Sequence, residues 1–267
     1  MTAVSRVLVW FERALLVTGL FLAAWSALLW TERQYVQLLP VPTEVRALPG
    51  DRGDTRSQPV TSGNRAIALG SWFRSLARED RPNIILTSPY LRARHTAGLI
   101  VESAGMHEDS YSLVVDERFR EKEFGILDRL TAVGVKEIFP EQAEFRRQLG
   151  KFYHRPPGGE SWCDVILRLR SATEMISREY RGQRVLIVCH SVVVLCMRYI
   201  LEHLTEPELL AIDKKAEIAN CSVTSYEHDE TLGPRGNLRL KLFNFVAPLE
   251  EAGAPVTSEP DAKVGAR

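Results

Sequence analysis

Two short apolar runs, each followed at once by a helical pattern, constrain the fold of this chain more than any other feature. The first run, Ile84–Leu86, ends at Ser88, and a helix is predicted from about Leu91. The second run, "RVLIVC", ends at His190 and precedes the helical segment "VVVLCMRYILEHL". Strands that alternate with helices in this way are typical of α/β domains with a mostly parallel sheet. We therefore predict a three-layer α/β sandwich built on such a sheet.

Three further segments fit the same fold class. The segment "SGNRAIALGSWFRSLAR" has its large apolar residues at helical spacing, which predicts a helix before the first strand. A second helix is predicted after Ser161, because Asp164 follows it at the spacing of a capping box. The segments "SVTSYEHD" and "LRLKLFNFV", separated by a Gly-Pro-Arg-Gly turn, predict a closing hairpin.

The amino-terminal residues differ from the rest, because the run Ala14–Trp30 carries no charge. Such a run is just long enough to cross a hydrocarbon core of about 30 Å. We predict a single-pass membrane anchor in residues 1–33, with residues 14–31 in the bilayer, and the sequence does not fix its orientation. The alternative is a buried core helix, which would make the protein cytoplasmic. A linker (34–56), a folded domain (57–248) and a disordered tail (249–267) complete the predicted organisation.

The charge balance argues against nucleic acid as a partner. Lys and Arg together number 34, as do Asp and Glu, so any site for phosphate must be a local one. The four cysteines show neither C-x-x-C spacing nor a metal-binding pattern. We expect no disulfide framework, no zinc and no other metal or cofactor.

Polar side chains follow both predicted strands at their carboxyl ends. Ser88 and Arg92 follow the first strand, and His190 follows the second. Ligands of open α/β sheets bind at this edge, and the first turn of a helix favours an anion. The arginine fork can hold two phosphate oxygens at once, so the pattern predicts half of a phosphate cradle. Taken singly, His190 can be a structural residue and Arg92 a solvated one, as we expect for Arg94 and His95.

Five segments resemble the histidine phosphatase superfamily, the phosphoglycerate-mutase-like group. They are "PVTSGNRAIALGSWF", "SPYLRARHTA", "FREKEFG", "PPGGESWCDVILR" and "VLIVCHSVVV", and they occur in the family's order across residues 57–248. The resemblance implies phosphoryl transfer, with phosphomonoester hydrolysis as the expected activity. Its substrate would be a phosphorylated small molecule or a phosphoprotein.

The resemblance also implies roles for individual residues. Arg92 and His190 would clamp the phosphate, and Glu121 would protonate the leaving oxygen. Ser88 and Ser191 complete the predicted substrate-binding set; Ser191 stands where the family has glycine. Such chemistry depends on positioning and on electrostatic stabilisation of the transferred group.

One part of the family pattern is missing from the sequence. The resemblance implies a nucleophilic histidine in an Arg-His-Gly motif at the end of an earlier strand, and no such tripeptide occurs. The only Arg-His pair, Arg94-His95, lies in the helix after Ser88, and the most generous alignment places Trp10 and Phe11 at the motif. Either the amino terminus is not the domain's own, or the protein is a membrane-tethered pseudophosphatase that binds a phosphorylated ligand without turnover.

A basic stretch, "EFRRQLGKFYHRPP", precedes the Gly-Gly-Glu-Ser segment. It is interpreted either as a lid that attracts anionic substrates or as a solvated helix face.

Overall fold

The computed structural model describes residues 59–215, 217–233, 236–254 and 256. The predicted anchor and linker, and most of the predicted tail, lie outside the described residues. Among the helices of the described part, none is both long and apolar enough to cross a bilayer.

The described residues alternate helices and strands, as the sequence predicts. The helices are α1 (Pro59–Ser75), α2 (Leu91–Ser103), α3 (Ala132–Ile138), α4 (Pro140–Tyr153), α5 (Trp162–Glu179), α6 (Ser191–Leu201), α7 (Glu206–Lys215) and α8 (Ala247–Glu251). The strands are β1 (Ile84–Thr87), β2 (Ser112–Val115), β3 (Val185–Val188), β4 (Val223–Asp229) and β5 (Asn237–Phe245).

The main sheet has the order β2-β1-β3 and is parallel throughout, which confirms the predicted mostly parallel sheet. Thr87 at the end of β1 pairs with Val115 of β2 and with Val188 of β3. Because all three strands end at this level, the residues that follow them meet at one edge of the sheet. The predicted hairpin is also confirmed, since β4 and β5 form an antiparallel pair.

Alternate side chains of β1 enter different hydrophobic clusters. Ile85 packs with residues of α1 and α2, among them Phe73 and Ile100. Leu86 packs with residues of α5 and α6, among them Trp162. Successive strand residues point to opposite faces, so helices cover the sheet on both sides and give three layers.

Local details agree with the sequence in one place and differ in three. Ser161 accepts the amide of Asp164 and Asp164 accepts the amide of Ser161, which confirms the capping box. β2 has no counterpart in the sequence prediction, and all four of its residues are exposed at the edge of the sheet. The continuous apolar run of β3 is typical of a strand buried on both faces, but β3 is mostly half-buried because it is the other edge strand among the described residues. Helix α8 continues past the predicted boundary at 248 and buries Leu249.

Candidate active site

The register of β1 and β3 brings Ser88 and His190 together. The amide of Ser88 donates to the carbonyl of Val188 at 3.0 Å, which continues the pairing one residue beyond β1. His190 then follows β3 in an extended conformation and occupies the N-cap position of helix α6, without a capping hydrogen bond from its side chain. Its Nε2 lies 2.8 Å from the Ser88 hydroxyl oxygen, although 102 residues separate the two in the chain. Both side chains are buried.

Hydrogen bonding assigns the tautomer of His190. Arg92 Nη2 lies 3.2 Å from His190 Nδ1, and a guanidinium can only donate, so Nδ1 carries no proton. The proton of the neutral ring is therefore on Nε2, which donates to Ser88 Oγ. Ser88 Oγ also accepts the amide of Tyr90 at 3.3 Å.

The surroundings of His190 favour the neutral ring. Burial lowers its pKa most, and the positive charges of Arg92 and Arg168 lower it further, to about 3. An opposite charge acts in the other direction, since a carboxylate or a bound anion near the ring favours the protonated form. Without a bound ligand the ring is therefore expected to stay neutral.

Arg92 reaches this pocket from the first turn of α2. The residue as a whole is exposed, but its guanidinium carbon lies 4.8 Å from the centre of the Tyr90 ring, and Nη2 contacts His190. Arg94 and His95, the next basic residues of the helix, are exposed, as predicted.

Glu121 enters the pocket from the loop after β2. Its Oε2 lies 3.9 Å from His190 Nδ1, and its Oε1 accepts the amide of Lys122 at 2.9 Å. The loop is fixed by a close backbone approach at Gly125, which has φ +56°. A Cβ atom there would lie 2.7 Å from the carbonyl carbon of Gly158, so the glycine that ends "FREKEFG" is a steric requirement.

The structure also locates Ser191 and the basic stretch predicted from the sequence. Ser191 is half-buried at the first position of α6, next to His190. The basic stretch falls on α4 and the residues after it, and its members face different surroundings. Two of them are exposed and form ion pairs, Arg147 with Glu144 and Arg155 with Asp164. Lys151 forms an ion pair with Asp213. Arg146 is half-buried and His154 is buried.

Lys122 places a buried cation next to Glu121 in the chain. The residue is only 2% exposed, and its Nζ lies 4.6 Å from the centre of the Phe124 ring. Burial first, and then the charge of Arg146, lower its pKa to about 8. Half-buried Arg146 therefore lies close enough to this end of the site to act on its charge. Among the described residues no group of three or more His, Cys, Asp or Glu side chains is placed to hold a metal ion.

Sequence reasoning missed three residues that the structure places around the pocket. Tyr90 lies inside the quoted segment "SPYLRARHTA", and its ring contacts both Arg92 and His190. Glu160 and Arg168 form a buried ion pair, and Arg168 Nη2 also donates to the Glu121 carbonyl at 3.4 Å. The available signal for Arg168 was an arginine on α5 close to the buried positions Val165 and Leu169.

The arrangement offers an anion four kinds of group at one edge of the sheet. They are a guanidinium, a neutral imidazole, a carboxylate and the amide groups at the start of α6. A tetrahedral oxyanion can accept hydrogen bonds from the guanidinium, and from His190 Nδ1 once that nitrogen is protonated, while the carboxyl group of Glu121 can serve as a proton donor or acceptor.

Comparison with known proteins gives consistent results. The family profile described as "Histidine phosphatase superfamily (branch 1)" matches residues 65–234, which is more than half of the chain. A 2,3-bisphosphoglycerate-dependent phosphoglycerate mutase from Methylobacterium sp. (strain 4-46) is 30% identical over 153 residues, covering 56% of this chain and 72% of the mutase. A protein named probable phosphoglycerate mutase GpmB from Yersinia enterocolitica is 26% identical, covering 55% of this chain and 64% of the relative.

Solved structures agree on the fold. Bacillus stearothermophilus YhfR superposes with a TM-score of 0.57 at 24% identity, covering 70% of this chain and 84% of YhfR. A mycobacterial glucosyl-3-phosphoglycerate phosphatase in complex with inorganic phosphate gives a TM-score of 0.54 at 23% identity, covering 70% and 86%. These similarities establish the architecture, and the family profile establishes the relationship. The chain is a member of the histidine phosphatase superfamily, branch 1.

Proposed function

We propose that the domain binds a phosphate monoester at the edge of its parallel sheet and hydrolyses it. Water attacks phosphorus as the ester phosphorus–oxygen bond breaks. Arg92 and the His190 ring, protonated when the ester is bound, hold the non-bridging oxygens, and Glu121 protonates the leaving oxygen and recovers a proton from the attacking water. The observation that carries the proposal is the meeting of these three side chains from separate segments, with contacts of 3.2 Å and 3.9 Å around His190 Nδ1. Ser88 supports the clamp by fixing the imidazole, and Ser191 follows His190 as the remaining predicted substrate-binding residue.

Charge and known relatives support the same assignment. The positive charges of Arg92 and Arg168 disfavour a protonated His190 ring, and a bound dianion would offset that repulsion. A structurally similar phosphatase has been solved with inorganic phosphate and with VO3. Phosphate and vanadate are therefore the probes of choice.

A second candidate is a pseudophosphatase that binds a phosphorylated ligand without turnover, tethered to a membrane through residues 14–31. It is favoured by the absence of Arg-His-Gly from the sequence, because the covalent route of the family requires that histidine. Hydrolysis through direct attack of water on phosphorus needs no such residue, but loss of a nucleophile usually costs several orders of magnitude in rate.

The experiment is a calorimetric titration of the full-length protein, purified in detergent, with inorganic phosphate and with vanadate. We expect millimolar or tighter binding that weakens about 10- to 100-fold in Arg92→Ala, because a hydrogen bond to a charged group contributes about 1.5–3 kcal/mol. Arg94→Ala is the matched control: it removes an exposed arginine from the same helix and keeps wild-type affinity. Absence of binding by the wild type, or equal loss in both variants, would contradict the phosphate site.

Turnover separates the two candidates. Release of p-nitrophenol from its phosphate ester that is abolished by Arg92→Ala and by Glu121→Gln supports the hydrolase. Binding without release in the wild type supports the pseudophosphatase. Release that persists in both variants comes from a contaminant or another site and eliminates the assignment of these residues.

A further inference from the structure

Tyr90 contacts two side chains of the candidate site and the loop that carries the third. Its ring lies edge-on to the His190 ring, with the centres 5.2 Å apart and the planes at 65°. The Arg92 guanidinium carbon lies 4.8 Å from the centre of the same ring. Its hydroxyl donates to Glu123 Oε1 at 3.1 Å, two residues beyond Glu121.

We propose that Tyr90 is a positioning residue that presets the Arg92–His190 clamp through its ring and holds the Glu121 loop through its hydroxyl. This role serves phosphate binding and so rests on the proposed function. The contacts of the Tyr90 ring and of its hydroxyl can nevertheless be tested on the protein without a ligand.

The ring restricts an arginine that would otherwise be mobile. Arg92 is exposed and has a long side chain, so ordering it costs rotamer entropy when an anion binds. A cation over an aromatic face is favourable even at an exposed site, and the edge contact fixes the imidazole on the other side. The ring thus holds the guanidinium near Nδ1 before the ligand arrives, which lowers the cost of binding.

The hydroxyl joins the turn between β1 and α2 to the loop after β2. The backbone of Glu123 is also held in place, because its amide donates to Glu160 Oε2 and its carbonyl accepts the amide of Glu160. The hydroxyl remains a donor at neutral pH, because burial and then the charge of Glu123 raise the pKa of Tyr90. The position of Glu121 is therefore tied to the segment that carries Arg92.

Three variants separate the two contacts. Tyr90→Phe removes the hydroxyl and keeps the ring, while Tyr90→Leu removes both. Glu123→Gln keeps an acceptor for the hydroxyl and removes the charge, so it serves as the conservative control. Urea unfolding of each variant reports any general loss of stability.

The first readout is the NMR titration of the His190 ring in the ligand-free protein. The groups that face this ring are Arg92, Arg168, Glu121 and Ser88. In Tyr90→Leu we expect its pKa to rise by about 1, because Arg92 leaves Nδ1 and water enters. Tyr90→Phe keeps the wild-type titration. The matching effect on phosphate affinity is a loss of about five- to tenfold in Tyr90→Leu alone.

The second readout is amide hydrogen exchange in residues 121–125. We expect exchange about fivefold faster in Tyr90→Phe and Tyr90→Leu, and near wild-type in Glu123→Gln, because only the first two lose the hydroxyl bond.

The outcomes distinguish this inference from the proposed function. A wild-type protein that binds no phosphate contradicts the proposed function, while the histidine titration and the exchange rates still test Tyr90. An unchanged His190 titration in Tyr90→Leu, or unchanged exchange in Tyr90→Phe, overturns the positioning role. An equal change of every readout in both Tyr90 variants shows a packing role only, and also overturns it.

Discussion

Two buried charged regions lie on either side of the Glu121 loop, and they differ in how their charges are balanced. Around Glu160, two arginines and a backbone amide all donate to one carboxylate, with Arg120 at 2.8 Å and Arg168 at 3.0 Å. Around His190, a guanidinium meets a neutral imidazole instead. The carboxylate of the first region is thus completed by three hydrogen-bond donors, whereas the imidazole of the second region is neutral and would gain a proton if an anion binds.

The pKa values express this difference. Burial raises the pKa of Glu160, but the hydrogen bonds from Arg168 and from the Glu123 amide outweigh it and leave the pKa below its usual value. At His190, burial and the like charges of Arg92 and Arg168 act in the same direction. Arg168 thus stabilises charge in one region and opposes it in the other.

The largest expected effect is on the completed region. In Arg168→Met the Glu160 carboxylate, whose side chain is 12% exposed, loses its more buried arginine partner. We expect the free energy of unfolding to fall by about 3–5 kcal/mol, as for other broken buried pairs. Urea denaturation measures it, and Arg178→Met on the same helix is the control. Arg178 is 75% exposed in its pair with Glu179, so its loss should cost less than about 0.5 kcal/mol. Equal effects of the two substitutions would refute the contrast.

An intermediate effect concerns the pH dependence of stability. The unfolded His190 ring takes up a proton near its ordinary pKa of 6.5, whereas the folded ring does so only near pH 3. The stabilisation from the neutral ring is complete above about pH 6.5 and is lost as the pH falls from there towards 3. Between pH 7 and 4.5 the wild type should therefore lose about 2–3 kcal/mol more than His190→Gln. Urea unfolding at each pH tests this, with exposed His95→Gln expected to follow the wild type. Parallel profiles for His190→Gln and the wild type would disprove it.

The smallest expected effect is on the pH dependence of anion binding at the His190 region. Sulfate does not titrate between pH 5 and 7, so any pH dependence of its binding comes from the protein. A bound dianion favours the protonated His190 ring, and its affinity should rise by up to about tenfold for each unit that the pH falls. Calorimetry in buffers of different ionisation enthalpy measures the accompanying proton uptake. His190→Gln should bind sulfate without this slope, and a slope that persists in it would place the proton elsewhere.

The sequence was sufficient where local patterns decide the structure. The apolar runs of β1 and β3 and the rule that parallel strands end at one edge predicted that Arg92 and His190 would meet. The capping box at Ser161 was predictable because both partners lie within one helical turn.

Other features depend on contacts between distant segments. β2 contains only three apolar residues and was missed because so short a run has no periodicity. The second role of Arg168 depends on a loop some fifty residues earlier, whose path no local pattern fixes. The tautomer of His190 follows from the guanidinium of Arg92, which can only donate to Nδ1. Ser88, which the sequence predicted as a substrate ligand, instead contacts Nε2 of the ring.

The pairing of β1 with β3 joins segments about a hundred residues apart, and the clamp lies just beyond that pairing. Closing so long a loop is among the slower steps of folding, so a ribosome-bound or truncated chain that ends before His190 has no anion pocket at all. A ligand that contacts both Arg92 and His190 therefore binds only chains in which β1 has paired with β3. Phosphate should accordingly raise the melting temperature of the whole domain in a concentration-dependent manner, and so report on assembly as well as on affinity.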